Sequence, residues 1–213
     1  MNRKKIGLLG GTFDPVHYGH LQLAQSAIEE CSLDKVVFIP SAQPPHKKGA
    51  SITPFNHRLA MLTLAGACEN SFECDTIEDT LPKPSFTIDT LRELRKHYNT
   101  DCRLYFMLGA DAFLDILTWK SYTAILRSVN ILLSKRKGYD AEHLAMLLKK
   151  LGYAASNGLW HGNDGKKSIY ILKNIPDSLS SSAIRSKIKK GESVQQYLPE
   201  SVIEYIKRNK LYQ

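Results

Sequence analysis

The stretch GGTFDPVHYGH, residues 10–20, lies between a short apolar run and a pattern of helical spacing. The apolar run IGLL, residues 6–9, has the length of a strand, and apolar side chains recur about every third or fourth residue over residues 21–31. We therefore interpret residues 10–20 as a strand-to-helix turn. Gly10 and Gly11 are expected to let the backbone turn sharply and approach a ligand closely.

The start of this predicted helix is expected to bind a phosphate. Thr12 or Asp14-Pro15 is predicted to cap its first turn, where free N–H groups and the helix dipole attract anions. His17 and His20 are three residues apart, so both imidazoles can donate to the same anion. Two ordinary half-buried histidines, or a zinc pair, are the alternatives. Zinc is the weaker one, because helical ligand pairs use a spacing of four and no third ligand is nearby in sequence.

Length and composition predict one domain, residues 1–213, with a sizeable core. No apolar run is long enough to cross a membrane, and residues 1–6 lead into a strand without a signal-peptide pattern, which predicts a cytoplasmic protein. The four cysteines form no C-x-x-C pair, and we predict buried free thiols at Cys31, Cys68, Cys74 and Cys102.

The formal net charge of +8 favours acidic partners, either nucleic acid, an anionic surface or phosphorylated small molecules. Basic residues cluster at 135–137, 166–167 and 185–190, but no aromatic residues are interleaved with them as in a stacking platform. We interpret most of them as solvated surface and predict no nucleic-acid and no membrane partner. A homo-oligomer is compatible with the sequence.

Strand-like and helix-like segments alternate along the chain. Strands are predicted at residues 35–40, 72–77, 102–108, 129–134 and 168–172, and helices after Thr53-Pro54 and at 87–98, 112–117, 141–151, 182–190 and 199–211. Residues 157–167 are a turn-rich loop, compatible with a hairpin. This order predicts an α/β fold with a parallel sheet covered on both faces, whose ligand site lies at the carboxyl ends of the strands.

Three later segments carry residues suited to that site. Lys47 follows the second strand and is either a surface lysine or a phosphate ligand. Gly109 and Asp111 follow the fourth strand, where the carboxylate can accept from ribose hydroxyls or cap a helix. Residues 180–182 are serines that open a helix with Arg185 in its first turn, which suits an anion or a simple capped helix.

Taken together, these motifs resemble the nucleotidyltransferase superfamily marked by H-x-G-H, here residues 17–20. The chain is most similar to bacterial nicotinate-mononucleotide adenylyltransferases. The matching segments are GGTFDPVHYGH (10–20), PPHK (44–47), PSFTIDTL (84–91), GADAFLDILTWK (109–120) and LSSSAIR (179–185). The resemblance implies a Rossmann-like doubly wound parallel sheet of the nucleotidyltransferase type, with a C-terminal helical segment.

The resemblance also implies a reaction in NAD biosynthesis: the adenylyl group of ATP is transferred to nicotinate mononucleotide, giving deamido-NAD and pyrophosphate, with Mg²⁺ assisting. The nucleophile, a phosphate oxygen, is already anionic, so the protein has to align two polyanions rather than supply a base. The implied catalytic residues are His17, His20, Lys47 and Arg185. The implied ATP ligands are Gly10, Gly11, Thr12, Phe13, His17, His20, Gly109, Asp111, Ser181, Ser182 and Arg185.

For the mononucleotide, the resemblance implies contacts from Lys47, Phe86, Thr87 and Trp119, with Trp119 stacking on the positively charged pyridine. Core packing is the alternative for both aromatic residues. No metal ligands are expected from the protein. Phe86 stands where the family commonly has tyrosine, and Ser182 where threonine is usual, which puts base preference in more doubt than phosphate binding.

Two other functions are compatible with the sequence. One is an adenylyltransferase that acts on nicotinamide mononucleotide or on phosphopantetheine. The other is a nucleotide-sensing or RNA-binding protein that has kept the fold without catalysis. RNA binding would show a steep dependence of affinity on salt concentration.

Overall fold

The computed structural model of the chain describes residues 3–44, 52–66, 71–98, 101–135, 140–173 and 180–213. The strands are β1 Lys4–Gly11, β2 Lys35–Pro40, β3 Phe72–Cys74, β4 Cys102–Gly109, β5 Asn130–Ser134, β6 Tyr153–Ser156, β7 Leu159–Gly162 and β8 Ile169–Ile171. The helices are α1 Tyr18–Cys31, α2 Phe55–Gly66, α3 Ile77–Thr80, α4 Thr87–His97, α5 Ala110–Leu114, α6 Tyr122–Ser128, α7 Ala141–Lys150, α8 Ser181–Lys189 and α9 Glu200–Arg208, and Ile116–Thr118 form a 3-10 helix.

The strands form one sheet in the order β3-β2-β1-β4-β5-β8-β7-β6. The predicted parallel pairing is confirmed from β3 through to β8. At one edge the sheet is instead antiparallel, because β6 and β7 form a hairpin and β7 pairs with β8. From the centre, β1 leads outward to β2 while β4 leads outward to β5, so the topological switch point lies between β1 and β4. Ligands of such sheets bind at this point, outside the carboxyl ends of the strands.

Two apolar clusters fill the two faces of the sheet. Because side chains alternate along a strand, Leu8 and Phe106 belong to one cluster and Leu9 and Met107 to the other. Helices α4 to α7 pack against the first face, and α1, α2, α8 and α9 against the second. The doubly wound arrangement is therefore confirmed, with the C-terminal helices on the same face as α1.

Several predicted element boundaries are wrong, and among them β1 ends at Gly11 rather than at residue 9, and α9 ends at Arg208 rather than at residue 211. Helix α1 begins at Tyr18, with His17 as its N-cap, rather than at Thr12 or Asp14. The strand predicted over 72–77 ends at Cys74, because the Asp75 carboxylate accepts from the N–H of Ile77 at 2.9 Å and starts α3. The helix predicted over 112–117 is divided between α5 and the 3-10 helix.

The cysteines that the structure describes are free, but the prediction that they are buried is wrong for Cys74, which is exposed. Cys31 and Cys102 are partly buried, and Cys68 lies outside the described residues. Burial raises the pKa of the Cys31 thiol to about 11, so this thiol stays protonated at neutral pH. Within the described ranges, the helices are all too short or too polar to cross a membrane.

Candidate active site

The two central strands bring the glycines predicted to contact ATP to one edge of the sheet. Gly10 and Gly11 end β1, and Gly109 ends the neighbouring strand β4 and caps α5. Asp111 is exposed in the first turn of α5. These four residues therefore flank the switch point, where the topology predicts a ligand.

The glycines of β1 provide space rather than a sharp turn. Neither has a positive φ, and the left-handed residue that turns the chain is Phe13, at φ 50°. A Cβ on Gly11 would lie 2.9 Å from the Phe13 ring, so a larger residue would displace that ring. Since the Phe13 side chain is only 2% exposed, between Phe38 and His20, its backbone is the part that can reach a ligand.

The two histidines lie together at the start of α1, as predicted. Their rings stack with centroids 3.7 Å apart, and the backbone N–H of His17 donates to Nδ1 of His20 at 3.2 Å. In a neutral imidazole that accepts at Nδ1, the proton lies on Nε2. His20, partly exposed beside the Phe13 ring, thus presents an N–H donor suited to a phosphate oxygen.

Helix α8 packs its first turn against the residues just before the histidines. Ser181 Oγ donates to the carbonyl of Pro15 at 3.0 Å, and Arg185 Nη1 donates to the carbonyl of Asp14 at 2.7 Å. Arg185 Nη2 also donates to Ser182 Oγ at 3.3 Å. The serine–arginine segment predicted from sequence is therefore adjacent to the histidine turn. The Ser181 proton, however, points to the protein backbone rather than toward a ligand.

Arg58 is a buried residue that connects three segments of the site, and it was not predicted from the sequence. Its guanidinium is 1% exposed and donates to the carbonyls of Thr12, Ser41 and Thr53 at 2.7–2.8 Å. Burial lowers the pKa of Arg58, and the neighbouring Asp14, Tyr212 and Glu78 oppose that shift. The sequence signal that could have found it is an arginine within the otherwise mainly apolar helix α2.

Tyr212 was also missed, because it lies 198 residues from its partner in the chain. Its hydroxyl donates to Asp14 Oδ1 at 2.6 Å, next to the histidine turn. We call residues 10–20, Arg58, Arg185 and Tyr212 the histidine side of the site.

The residues predicted to contact the pyridine also come together. Phe86 is the N-cap of α4, which begins at Thr87 as predicted. Trp119 follows the 3-10 helix and meets Phe106 edge-on, with centroids 6.5 Å apart. The next residue, Lys120, lies 4.5 Å from the centroid of the Phe86 ring and pairs with Asp89 at 2.8 Å. Phe86 and Trp119 are both partly exposed, and both also pack against the first apolar cluster.

Buried Glu78 joins this region to the loop after β2. Its carboxylate accepts from Ser85 Oγ at 2.7 Å, from Thr90 Oγ1 at 2.9 Å and from the N–H of Ala42 at 3.3 Å. Lys47, predicted further along the same loop, lies outside the described residues. We call Phe86, Thr87, Trp119, Lys120 and Glu78 the aromatic side of the site.

Comparison with known proteins gives matches along almost the whole chain. The cytidylyltransferase-like family matches residues 8–187. A protein from Desulfotalea psychrophila described as a probable nicotinate-nucleotide adenylyltransferase is 42% identical, over 98% of this chain and 100% of its own length. One from Moorella thermoacetica with the same description is 37% identical, over 98% and 91%. The nicotinic acid mononucleotide adenylyltransferase of Plasmodium falciparum, solved in complex with NaAD, shares the fold with a TM-score of 0.76 at 19% identity, covering 98% of this chain and 97% of that one.

Proposed function

We propose that this chain, which belongs to the cytidylyltransferase-like family and within it to the nicotinate-nucleotide adenylyltransferases, transfers the adenylyl group of ATP to nicotinate mononucleotide. A phosphate oxygen of the mononucleotide attacks the α-phosphorus of ATP. The bond from that phosphorus to the bridging oxygen breaks, and pyrophosphate leaves with the electron pair. The products are deamido-NAD and pyrophosphate.

On the histidine side, the chain's own groups stabilise the charge of this reaction. The Nε2–H group of His20 donates a hydrogen bond to a phosphate oxygen, and the stacked His17 holds the His20 ring in place. The guanidinium of Arg185, beside Asp14, binds the departing pyrophosphate. Lys47 offsets the repulsion between the nucleophile and the triphosphate. Mg²⁺ enters with ATP as part of the substrate, bound by phosphate oxygens.

On the aromatic side, Trp119 and Phe86 form the surface for the pyridine ring. A pyridinium is cationic, and an aromatic face attracts a cation. The carboxylate of the nicotinate then meets N–H donors at the start of α4, near Thr87. Asp111, exposed at the switch point, accepts from the ribose of ATP.

The observation that carries the proposal is the assembly of three phosphate-suited elements at the switch point. The first turns of α8 bond to the carbonyls of Asp14 and Pro15, which lie in the chain between the end of β1 and the stacked His17 and His20. A protein that had kept this fold without catalysis would not need an arginine beside the histidine turn.

The test is pyrophosphate release from ATP and Mg²⁺ with nicotinate mononucleotide, nicotinamide mononucleotide and phosphopantetheine in parallel. We expect release chiefly with nicotinate mononucleotide, and His20→Ala should lower kcat by roughly 10²–10³-fold, the cost of one preorganised donor. The matched control is His161→Ala, because His161 is exposed on β7, in the hairpin at the edge of the sheet. It should retain wild-type activity. No release with any acceptor would overturn the enzyme assignment.

A further inference from the structure

The buried carboxylate of Asp14 lies where it can compete with a phosphate for Arg185. Asp14 is buried, and its Oδ2 is 3.9 Å from Arg185 Nη1. A charge-assisted hydrogen bond between such groups is ordinarily about 2.7–2.9 Å long. Arg185 therefore bonds to the backbone carbonyl of Asp14, at 2.7 Å, rather than closely to its carboxylate.

Other donors hold the two carboxylate oxygens of Asp14. Tyr212 donates its hydroxyl proton to Oδ1 at 2.6 Å, and the backbone N–H of Thr53 donates to Oδ2 at 3.3 Å. Burial raises the pKa of Tyr212 and the hydrogen bond to Asp14 raises it further, so the hydroxyl keeps its proton at neutral pH. The bond from Tyr212 is the shorter of the two, and a substitution of Tyr212 by phenylalanine removes it.

The backbone that brings Tyr212 to Asp14 adopts an uncommon conformation. After α9, Lys210 has φ 52° and Tyr212 has φ 66°, both in the left-handed region that non-glycine residues seldom occupy. The N–H of Leu211 closes this turn on the carbonyl of Ile206 at 3.0 Å. Such conformations persist where the surrounding contacts compensate for them, and the Tyr212 hydrogen bond is one such contact.

We infer that Tyr212 is a positioning residue, whose hydroxyl holds the Asp14 carboxylate away from Arg185 and so keeps the guanidinium available to the pyrophosphate end of ATP. This inference rests on the proposed function, in which Arg185 binds pyrophosphate. Arg185 is suited to that role because its side chain is 32% exposed, whereas that of Asp14 is 4% exposed. Asp14 and Arg185 already form a long ion pair, and without the hydroxyl Asp14 would move closer to Arg185 and neutralise more of the charge that the leaving group needs.

The experiment compares Tyr212→Phe with Tyr205→Phe. Tyr205 lies on α9, and its hydroxyl makes a comparable partly buried hydrogen bond, at 3.0 Å, to Nδ1 of His57 on α2. For Tyr212→Phe, KM for ATP and the inhibition constant of pyrophosphate should each rise about three- to tenfold, the range of one ordinary hydrogen bond. KM for nicotinate mononucleotide should change less than about twofold, and Tyr205→Phe should change none of these constants.

If Tyr212→Phe only disturbed the local structure, the KM values for ATP and for nicotinate mononucleotide would rise together. That result, or no change in any of the constants, would overturn the inference. The second variant is Asp14→Asn, which removes the competing charge. Pyrophosphate should bind it at least as tightly as it binds the wild type, and adding Tyr212→Phe to it should have less than about a twofold further effect. Weaker pyrophosphate binding by Asp14→Asn would also overturn the inference, even if Tyr212→Phe alone fails to fold.

Failure of the proposed function is distinguishable from failure of this inference. If the wild type turns over no acceptor, the reaction is wrong, whereas pyrophosphate binding measured directly by calorimetry still compares the variants. If the wild type is active and the Tyr212→Phe variant binds pyrophosphate just as tightly, the reaction stands and the role of Tyr212 does not.

Discussion

The histidine side and the aromatic side of the site are held in different ways. On the histidine side, buried Arg58 and Asp14 tie together five segments of the chain. On the aromatic side, Glu78 is the buried residue that holds neighbouring segments together. The start of α4 and the segment after the 3-10 helix are joined by the exposed ion pair of Lys120 and Asp89. The ion pair is 46% and 30% exposed at its two side chains, so solvent screens it.

This difference indicates that the two sides of the site have different functions. The histidine side has to hold phosphates and a departing group in fixed geometry, since misplacement by even about 1 Å can cost roughly 10²-fold in rate. The aromatic side has to select one base and can adjust when that base enters. We therefore expect substitutions on the histidine side to affect folding and catalysis most, and those on the aromatic side to affect chiefly one substrate.

The largest expected effect is that of Arg58→Met. It leaves the carbonyls of Thr12, Ser41 and Thr53 without their buried donor and removes the cation near Asp14 and Glu78. We expect the free energy of unfolding to fall by about 3–5 kcal/mol, as when one partner of a buried charge network is removed. Urea unfolding followed by circular dichroism measures it.

The matched control for this variant is Arg208→Met, because Arg208 is exposed at the end of α9. Its free energy of unfolding should change by less than about 0.5 kcal/mol. Equal losses in the two variants would show that the histidine side is not held by its buried network, since that network would then contribute no more than a surface arginine.

A smaller loss of stability, with a change in the KM of only one substrate, is expected for Glu78→Gln. An amide offers one acceptor oxygen where the carboxylate serves Ser85, Thr90 and Ala42, so the segment that carries Phe86 is less firmly held. We expect a stability loss of about 1–3 kcal/mol, together with a KM for nicotinate mononucleotide raised about fivefold and an unchanged KM for ATP.

Glu93→Gln is the control for Glu78→Gln, because Glu93 pairs with Lys96 at the surface of α4. Initial rates with each substrate varied in turn measure both variants. If Glu78→Gln raised the KM values for ATP and for the mononucleotide equally, the two sides of the site would be one unit, and their separation would be wrong.

Local sequence patterns predicted the parts of this site that depend on neighbours within a few residues. The apolar runs of β2 and β4, and the serines at the start of α8, predicted to within one residue where those strands end and where that helix begins, whereas β1 continues two residues past its apolar run. The spacing of His17 and His20 predicted their adjacency, which the stacked rings confirm. Contacts between distant segments were beyond the reach of such patterns.

The missed residues depend on contacts that no local pattern encodes. Arg58, Glu78 and Tyr212 act on segments up to 198 residues away, and each has an ordinary local context in the sequence. The hairpin β6–β7 could be only partly predicted. The glycines at 158 and 165 indicate turns, but they do not specify which strands pair with each other. Tertiary packing selects the partners in both cases.

The smallest expected effect, and the finest test of the aromatic side, is that of Lys120→Gln. Its ammonium lies 4.5 Å from the Phe86 ring and next to Trp119, where a positive charge favours the carboxylate of nicotinate over the neutral amide of nicotinamide. Because the charge is exposed and shared with Asp89, kcat/KM for nicotinate mononucleotide should fall only about two- to fivefold. The value for nicotinamide mononucleotide should not change.

Lys96→Gln is the matched control, since Lys96 forms a similar exposed pair with Glu93 on α4 at 2.7 Å. It should leave the ratio of the two substrates unaltered. The effect of Lys120→Gln should also shrink as ionic strength rises, because salt screens an exposed charge within about 8–10 Å. An equal loss with both mononucleotides, insensitive to salt, would mean that Lys120 fixes the position of Phe86 instead of attracting the carboxylate, and base selection would then fall to the backbone at the start of α4.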